Sequence, residues 1–223
     1  MEDKEFQKLV KKSRNKQRKK LIGLYIVTLI IFVGAGISLM YDYNYGPFQG
    51  DKIAGVRDNS IKSVSADAAG VAALLFQQSG EFRFNVEAEE FTLYLDYYQK
   101  DELIKSDVVF GVSNDERFGI YGNLLLGITS GDSQLLTRYN GGTYGGVYSS
   151  GAPITLSDYH KSESGLSSFL IPYDNSQKIQ LGEKYYLYYA NTAGKLYTDI
   201  DQHLTPEALR QTDETIVVYM IFE

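Results

Sequence analysis

The residues best arranged to hold a metal ion are Asp199, Asp201 and His203, in the segment DIDQH. Alternate residues of an extended segment lie on one face, so these two carboxylates and the imidazole would converge on one ion. A hard cation needs about six or more oxygen ligands, and this segment supplies only its two carboxylate groups. The alternative is a solvated turn that leads into a helix starting after Thr205.

Other catalytic chemistry has few candidate residues in this sequence. The chain has 2 histidines, at positions 160 and 203, and no cysteine, which excludes a thiol nucleophile and a thiolate metal site. It contains no Gly-x-Ser-x-Gly elbow, P-loop, dinucleotide fingerprint or His-Glu-x-x-His motif, so we expect no cofactor and no enzyme activity. The alternative is a carboxylate-dependent hydrolase of the cell envelope, which would need a cleft holding two acids with raised pKa values.

Tyrosine is the residue type best able to form a binding surface here, since the chain has 19 tyrosines and no tryptophan. A tyrosine ring gives a large contact area at a small cost in conformational entropy. The candidate ligand-binding residues lie on strand positions predicted to face outward or in a Gly-rich segment: Tyr94, Tyr98, Tyr139, Tyr144, Tyr148, Tyr186 and Tyr188. The alternatives are cross-strand pairing of tyrosines on a half-exposed face and a hairpin over residues 139–148.

The elements that would position these side chains are β-strands. From residue 81 the pattern has a period of two, and residues 91–98 alternate between an apolar face and a face carrying Tyr94, Asp96 and Tyr98. A turn at 99–102 leads into residues 103–110, which predicts a hairpin. Further strands are predicted over 117–129, 134–139, 166–171, 183–190 and 215–222, and the last is apolar on both faces, as in a central strand.

About eight strands separated by Gly-rich turns predict an all-β domain, either an Ig-like β-sandwich or a barrel. One or two short helices accompany it. Thr205 is a suitable N-cap and Pro206 a suitable first helical residue, so a short helix is expected from Pro206 to about Gln211. Apolar residues on one helical face predict another helix over 63–78, with a buried strand over 71–76 as the alternative.

Residues 21–40 contain no charged side chain, and 20 residues at a rise of 1.5 Å span about 30 Å, the thickness of a hydrocarbon core. The basic run before them places the N-terminus in the cytoplasm by the positive-inside rule, and this predicts a single-pass protein of the cell membrane. The alternative is a signal peptide cleaved after Ala35, since Val33 and Ala35 suit the −3 and −1 positions.

The predicted organisation is a basic cytoplasmic tail (1–20), a transmembrane helix (21–40) in contact with the lipid bilayer, a juxtamembrane linker (41–62) and an extracellular β-domain (63–223). The tail has a net charge of +6 and residues 41–223 a net charge of −12. Such an acidic domain opposes binding to nucleic acid and favours cationic partners. The lack of cysteine in an exported domain is typical of Gram-positive bacteria.

These features favour a membrane-anchored extracellular binding module without catalytic activity, whose partner is a protein at the bacterial cell surface. Immunity against a toxin that acts in the envelope and accessory function in a surface complex both fit this description. A signal-relaying receptor, whose basic tail contacts a partner inside the cell, is the second hypothesis, and the envelope hydrolase is the third. The sequence leaves the oligomeric state open.

Overall fold

The computed structural model describes residues 2–65, 75–113, 119–141, 147–149, 153–159, 166–173, 176–194 and 199–223. Helix α1 (Glu2–Asp42) comes first and the strands follow it. The strands are β1 (Ser60–Ser65), β2 (Phe76–Val86), β3 (Glu90–Gln99), β4 (Glu102–Ser113), β5 (Ile120–Thr129), β6 (Gln134–Gly141), β7 (Val147–Ser149), β8 (Ile154–Thr155), β9 (Ser167–Leu170), β10 (Gln177–Lys178), β11 (Lys184–Asn191) and β12 (Glu214–Phe222). Two short helices, α2 (Ile200–His203) and α3 (Pro206–Leu209), precede β12.

The described strands form two open antiparallel sheets. The first has the order β10-β1-β2-β5-β6-β7, with β8 paired to β6, and the second has the order β4-β3-β12-β11-β9. The prediction of a mostly β domain is therefore confirmed, and the barrel alternative is wrong because neither sheet closes on itself. The prediction of about eight strands missed β1, whose residues were assigned to the linker and to a helix. It also missed β8 and β10, which have 2 residues each and carry no readable period.

The two sheets share one apolar core. Phe84 of β2 packs against Phe91 of β3, with ring centroids 5.4 Å apart, and against Phe222 of β12 at 5.2 Å. The inward face of β3 carries the alternate residues predicted from the sequence, all of them buried: Phe91, Leu93, Leu95 and Tyr97. Strand β12 lies in the middle of its sheet, as its two apolar faces predicted.

Helix α1 includes the uncharged stretch 21–40, and the large apolar side chains there are exposed in the structure. A core helix of a soluble domain would be buried, so this one has a different role. It is long and apolar enough to cross a membrane, and a signal sequence near an N-terminus passes the same test. The helix also includes the basic residues before position 21, since Lys, Arg and Gln are good helix formers.

The segment predicted as a juxtamembrane linker is fastened to the domain. Asn44 ends the helix with a φ of +54°, and its side-chain amide donates to the Val56 carbonyl at 2.8 Å and to Asp58 at 2.9 Å. The buried amide of Asn85 in β2 donates to the carbonyls of Ile53 and Val56, both at 2.9 Å. These side chains supply the hydrogen bonds that an irregular backbone cannot make with itself.

The boundary predicted at residues 62 and 63 falls inside β1. The helix predicted over 63–78 does not form at either end, because residues 63–65 belong to β1 and 76–78 to β2, while 66–74 lie outside the described residues. The helix predicted after Thr205 is present and ends at Leu209. The Thr205 hydroxyl accepts from the Ala208 amide at 3.2 Å, as an N-cap does.

Candidate functional site

The solvent side of the second sheet carries a row of tyrosines. Tyr94, Tyr219 and Tyr186 lie directly opposite one another on β3, β12 and β11. The rings of Tyr94 and Tyr219 stack with centroids 5.3 Å apart, and Tyr186 meets Tyr219 edge-on at 5.9 Å. Together with Tyr98 on β3, these residues are called the tyrosine face below. The sequence predicted three of them and missed Tyr219.

A carboxylate is buried beneath this face. Asp96 is 2% exposed and accepts a hydrogen bond from Ser106 at 2.6 Å. The hydroxyls of Tyr219 and Tyr98 lie 3.3 and 3.4 Å from its oxygens, and the Lys184 ammonium lies 3.4 Å away. Lys184 also sits 4.0 Å from the centre of the Tyr219 ring. The charge of Asp96 is thus matched by a cation, and its hydrogen bonds fix the positions of the tyrosine hydroxyls.

The same network determines the protonation of the face. Burial, followed by the negative charge of Asp96, raises the pKa of Tyr98 to about 12. Burial also raises the pKa values of Tyr186 and Tyr219. For Lys184, burial acts to lower the pKa, but the hydrogen bond to Tyr219 and the charge of Asp96 outweigh it and raise the pKa. At neutral pH the hydroxyls of Tyr98, Tyr186 and Tyr219 are therefore neutral, and Lys184 is the cation beside them.

An open groove of about 580 Å³ adjoins the tyrosine face at Lys184 and Tyr186. Its lining includes three exposed carboxylates, Glu183, Asp199 and Asp201. Among the described lining residues the cation is Lys184, which already pairs with Asp96. This acidic groove therefore carries an excess of negative charge that faces solvent, and its volume lies within the range of about 300–1,000 Å³ usual for ligand sites.

The structure does not bring the predicted metal ligands together. Asp199 caps helix α2 by accepting from the Asp201 amide at 3.1 Å, and both carboxylates are exposed. His203 is 2% exposed and packs on Tyr189, with ring centroids 4.4 Å apart, and on Phe169 at 5.6 Å. The segment is helical and not extended, so alternate residues diverge. Among the described residues, no group of three metal-ligating side chains occurs.

Two of the predicted tyrosines are core residues. Tyr188 is buried because β11 has a bulge: Tyr186 pairs with Tyr219, Tyr188 pairs with Val218, and the residue between them is extra. The bulge turns Tyr188 inward, whereas strict alternation from Tyr186 would place it outward. Tyr139 is buried as well, with its ring 5.1 Å from that of Phe91.

The remaining two predicted tyrosines belong to the Gly-rich segment. Tyr144 lies outside the described residues. Tyr148 is part of β7, where its backbone pairs with Tyr139 of β6. The two strands of the predicted hairpin over 139–148 are therefore present and paired, and residues 142–146 fall outside the described part.

The carboxyl groups with a shifted pKa in the described residues all have it lowered. At Asp58 and Glu81, burial acts to raise the pKa, but a hydrogen-bonded cation outweighs it. The pairs are Asp58 with Lys52, Glu81 with Arg83, Asp101 with Arg210, and Asp107 with Lys105. A general acid of a glycoside hydrolase needs the opposite shift, so the hydrolase alternative gains no support from these groups.

The tyrosine face and the acidic groove form one continuous surface. It offers aromatic rings, hydroxyl groups and exposed carboxylates, which together suit a ligand that carries both apolar surface and positive charge. The sequence could have indicated Tyr219, since it is the one aromatic residue in the otherwise aliphatic run TIVVYMI. No protein-family model matches this chain, and no curated protein and no solved structure matches it either.

Proposed function

We propose that this chain is a membrane-anchored extracellular binding module without catalytic activity, and that its partner is a protein with basic side chains at the surface of a Gram-positive cell. The observation that carries the proposal is the tyrosine face and its continuation into the acidic groove. The two open antiparallel sheets support an Ig-like sandwich as the scaffold. Immunity against an envelope toxin and accessory function in a surface complex both fit a module with such a surface.

The tyrosine face favours a protein partner because it is held in place before binding. Stacking between Tyr94 and Tyr219 and hydrogen bonds to Asp96 fix the rings. A surface ordered in advance loses little entropy on binding, and tyrosine is enriched among the residues that dominate the energies of protein interfaces. A broad row of rings, half-buried apart from the buried Tyr219, is also better suited to an extended partner surface than to a small enclosed ligand.

Charge favours a basic partner. Residues 41–223 have a net charge of −12, and the groove adds three exposed carboxylates next to the tyrosine rings. A lysine or arginine of the partner would pair with Asp199, Asp201 or Glu183 and stack on Tyr186. Complementary charge of this kind raises the rate of association and makes binding sensitive to salt.

Reversing the charge of the groove should strongly reduce capture of the partner. We expect the full-length chain in detergent, immobilised and incubated with an envelope extract, to retain a basic protein. The double variant Glu183→Lys/Asp201→Lys should retain at least about tenfold less of it, since loss of a charged pair at an interface costs more than about 1.4 kcal/mol. Quantitative mass spectrometry of the retained proteins at low and high salt measures the difference.

The matched control is Asp132→Lys/Glu87→Lys, which makes the same change in net charge at two exposed positions between strands. We expect it to retain the partner as the unchanged chain does. If the groove variant and this control retain the same proteins to the same extent, the groove is not the binding site and the proposal is wrong.

We also infer that the N-terminal helix is an uncleaved anchor with residues 41–223 outside the cell. The basic tail, the uncharged stretch 21–40 and its exposed side chains support this inference. In addition, the helix continues past Ala35 to Asp42, and the buried side chain of Asn44 then joins it to the domain. A helix built into the domain in this way suits an anchor better than a removable leader.

Membrane fractions should contain the chain at its full mass of 25.1 kDa. Protease added to intact cells should digest the domain, because the positive-inside rule places it outside. The variant Ala35→Leu, which removes the small residue at the −1 position, should have the same mobility as the unchanged chain. A cleaved signal peptide would instead give a product shorter by 35 residues in the unchanged chain and a full-length product in Ala35→Leu.

One observation favours the second candidate function, a signal-relaying receptor. Helix α1 runs unbroken from Glu2 to Asp42 and is joined to the domain through Asn44, so a change in the domain can reach the tail. Deleting residues 2–17 discriminates between the two functions. A relay loses its output inside the cell, whereas a tethered binder keeps its partner as long as its orientation is retained.

A further inference from the structure

Strand β4 forms a long exposed edge of the second sheet. Among the described strands it pairs on one side only, with β3, and it has 12 residues. The other edge strands in the described part have 4 residues or fewer. Three apolar side chains of β4 face solvent: Leu103 is 49% exposed, Ile104 47% and Val108 60%. A long edge with exposed apolar residues is a template for pairing with a further strand.

The chemistry of this strand is self-complementary. Residues 103–109 read LIKSDVV, so Lys105 and Asp107 flank Ser106 symmetrically and apolar residues flank them in turn. When two such strands run antiparallel with Ser106 opposite its own copy, Lys105 of each lies opposite Asp107 of the other. Opposite charges directly across two strands stabilise the pairing.

Lys105 and Asp107 lie on the same side of the sheet, as this pairing requires. Lys105 and Asp107 are in register with Tyr97 and Leu95 of β3, which point into the core. Both charged side chains therefore lie on the inner side of the sheet, at its edge, where they pair with each other at 2.5 Å and contact the Tyr159 hydroxyl. A two-fold axis perpendicular to the sheet relates the two copies, so the inner side of one sheet continues as the inner side of the other. Lys105 of one copy can therefore form an ion pair with Asp107 of the other.

We propose that two copies of this chain associate through antiparallel pairing of their β4 strands, centred on Ser106. The partner is a second copy because β4 is complementary to itself: with Ser106 opposite its own copy, each Lys105 lies opposite an Asp107. Bulges of β4 around Ile104 and Val109 limit regular pairing to the stretch between them. The contact is therefore small, and confinement of both anchors to one membrane supplies the effective concentration it needs.

This association does not require the acidic groove, although it rests on the membrane anchor proposed above. In the second sheet, β4 is one edge, whereas the acidic groove is lined by residues of β11 and α2 near the other edge. A dimer joined at β4 consequently leaves both grooves open. Two grooves on one assembly would bind a partner with two matching sites more tightly than one groove alone.

Disulfide trapping tests the register directly. The chain has no cysteine, so Ser106→Cys introduces a single thiol. Residues opposite each other in antiparallel strands have Cβ atoms about 4.5–5.5 Å apart, so we expect this variant to form a disulfide-linked dimer in membranes under mild oxidation. In the control Ser113→Cys, the two thiols would lie about 48 Å apart along the strands. We expect at least about tenfold less dimer for it, and equal amounts in the two variants overturn the proposal.

Charge exchange tests the association without altering Ser106. Lys105→Glu and Asp107→Lys each place like charges opposite each other in a homodimer, so each variant alone should lose about tenfold in self-association. Coexpressed with different tags, the two variants should coprecipitate as well as the unchanged chains do. In the mixed dimer, the glutamate introduced at position 105 of one chain lies opposite the lysine introduced at position 107 of the other. The native Asp107 and Lys105 of the two chains also lie opposite each other, so every pair across the strands has opposite charges. If the mixture associates no better than either variant alone, the ion pair acts only within one chain. The proposal is then wrong, as it also is if the unchanged chain is monomeric in membranes.

Discussion

Replacing Phe84 with alanine should lower the free energy of unfolding by about 3–5 kcal/mol. Phe84 is fully buried. The centroid of its ring lies 5.4 Å from that of Phe91, 5.2 Å from that of Phe222 and 6.0 Å from that of Tyr139. It thus joins β2 of the first sheet to β3 and β12 of the second. Removing the ring leaves a cavity between the sheets that the surrounding aromatic residues cannot fill without moving.

Urea unfolding of the full-length chain in detergent, followed by tyrosine circular dichroism, measures the loss. The control is Phe48→Ala: Phe48 is an exposed aromatic residue near the end of α1, where it packs edge-on against Tyr41 at 5.6 Å. We expect this change to cost less than about 1 kcal/mol. A similarly small effect of Phe84→Ala would show that the two sheets do not share a core.

The parts of the fold that could be predicted from the sequence depend on near neighbours in the chain. Strand β3 shows the period of two over its whole length, and its turn into β4 follows at once. The cap at Thr205 depends on residues within one turn of the helix. The central position of β12 follows from a run of apolar residues that leaves no side for water.

The parts that could not be predicted depend on distant residues. The bulge that buries Tyr188 is determined by how β11 pairs with β12, about thirty residues further along the chain. Asn44 and Asn85 fasten an irregular segment through single side chains, and such contacts leave no periodic signal. The metal-site prediction requires an extended segment at Asp199, and its alternative is a solvated turn. The structure has a helical turn there, because an aspartate followed by four helix-compatible residues also suits a capped helix.

In the candidate site, too, the features set by neighbouring residues could be predicted and those set by distant residues could not. The sequence places Tyr94, Asp96 and Tyr98 on one face of β3 without reference to any other strand. It does not show that Tyr186 and Tyr219 complete the row, because that requires the order β3-β12-β11. The pairing of Asp96 with Lys184, 88 positions later, joins these separate pieces into one network. Asp96 is therefore the residue on which the geometry of the face depends most.

Replacing Asp96 with alanine should lower the free energy of unfolding by about 2–4 kcal/mol. The change leaves Lys184 without its carboxylate and removes the acceptor for Ser106 and for the hydroxyls of Tyr98 and Tyr219. Partner capture should fall with it, because the tyrosine face is no longer fixed. The control is Asp213→Ala, at an exposed position, which should change the free energy of unfolding by less than about 0.5 kcal/mol.

The variant Asp96→Asn separates charge from shape, and the titration of Tyr98 reports on it. Burial and the charge of Asp96 raise the pKa of Tyr98 from 10.0 to about 12. A raised pKa in the folded state stabilises the fold below pH 10, and this contribution is lost as the pH rises through 10 to 12. In Asp96→Asn the amide keeps the volume but not the charge, so the pKa of Tyr98 should fall below about 12 and the loss of stability should be complete at a lower pH. Tyrosinate absorbance, taken as the difference from the matching Tyr98→Phe variants, measures this pKa, and a midpoint unchanged by Asp96→Asn would show that the carboxylate does not act on the face.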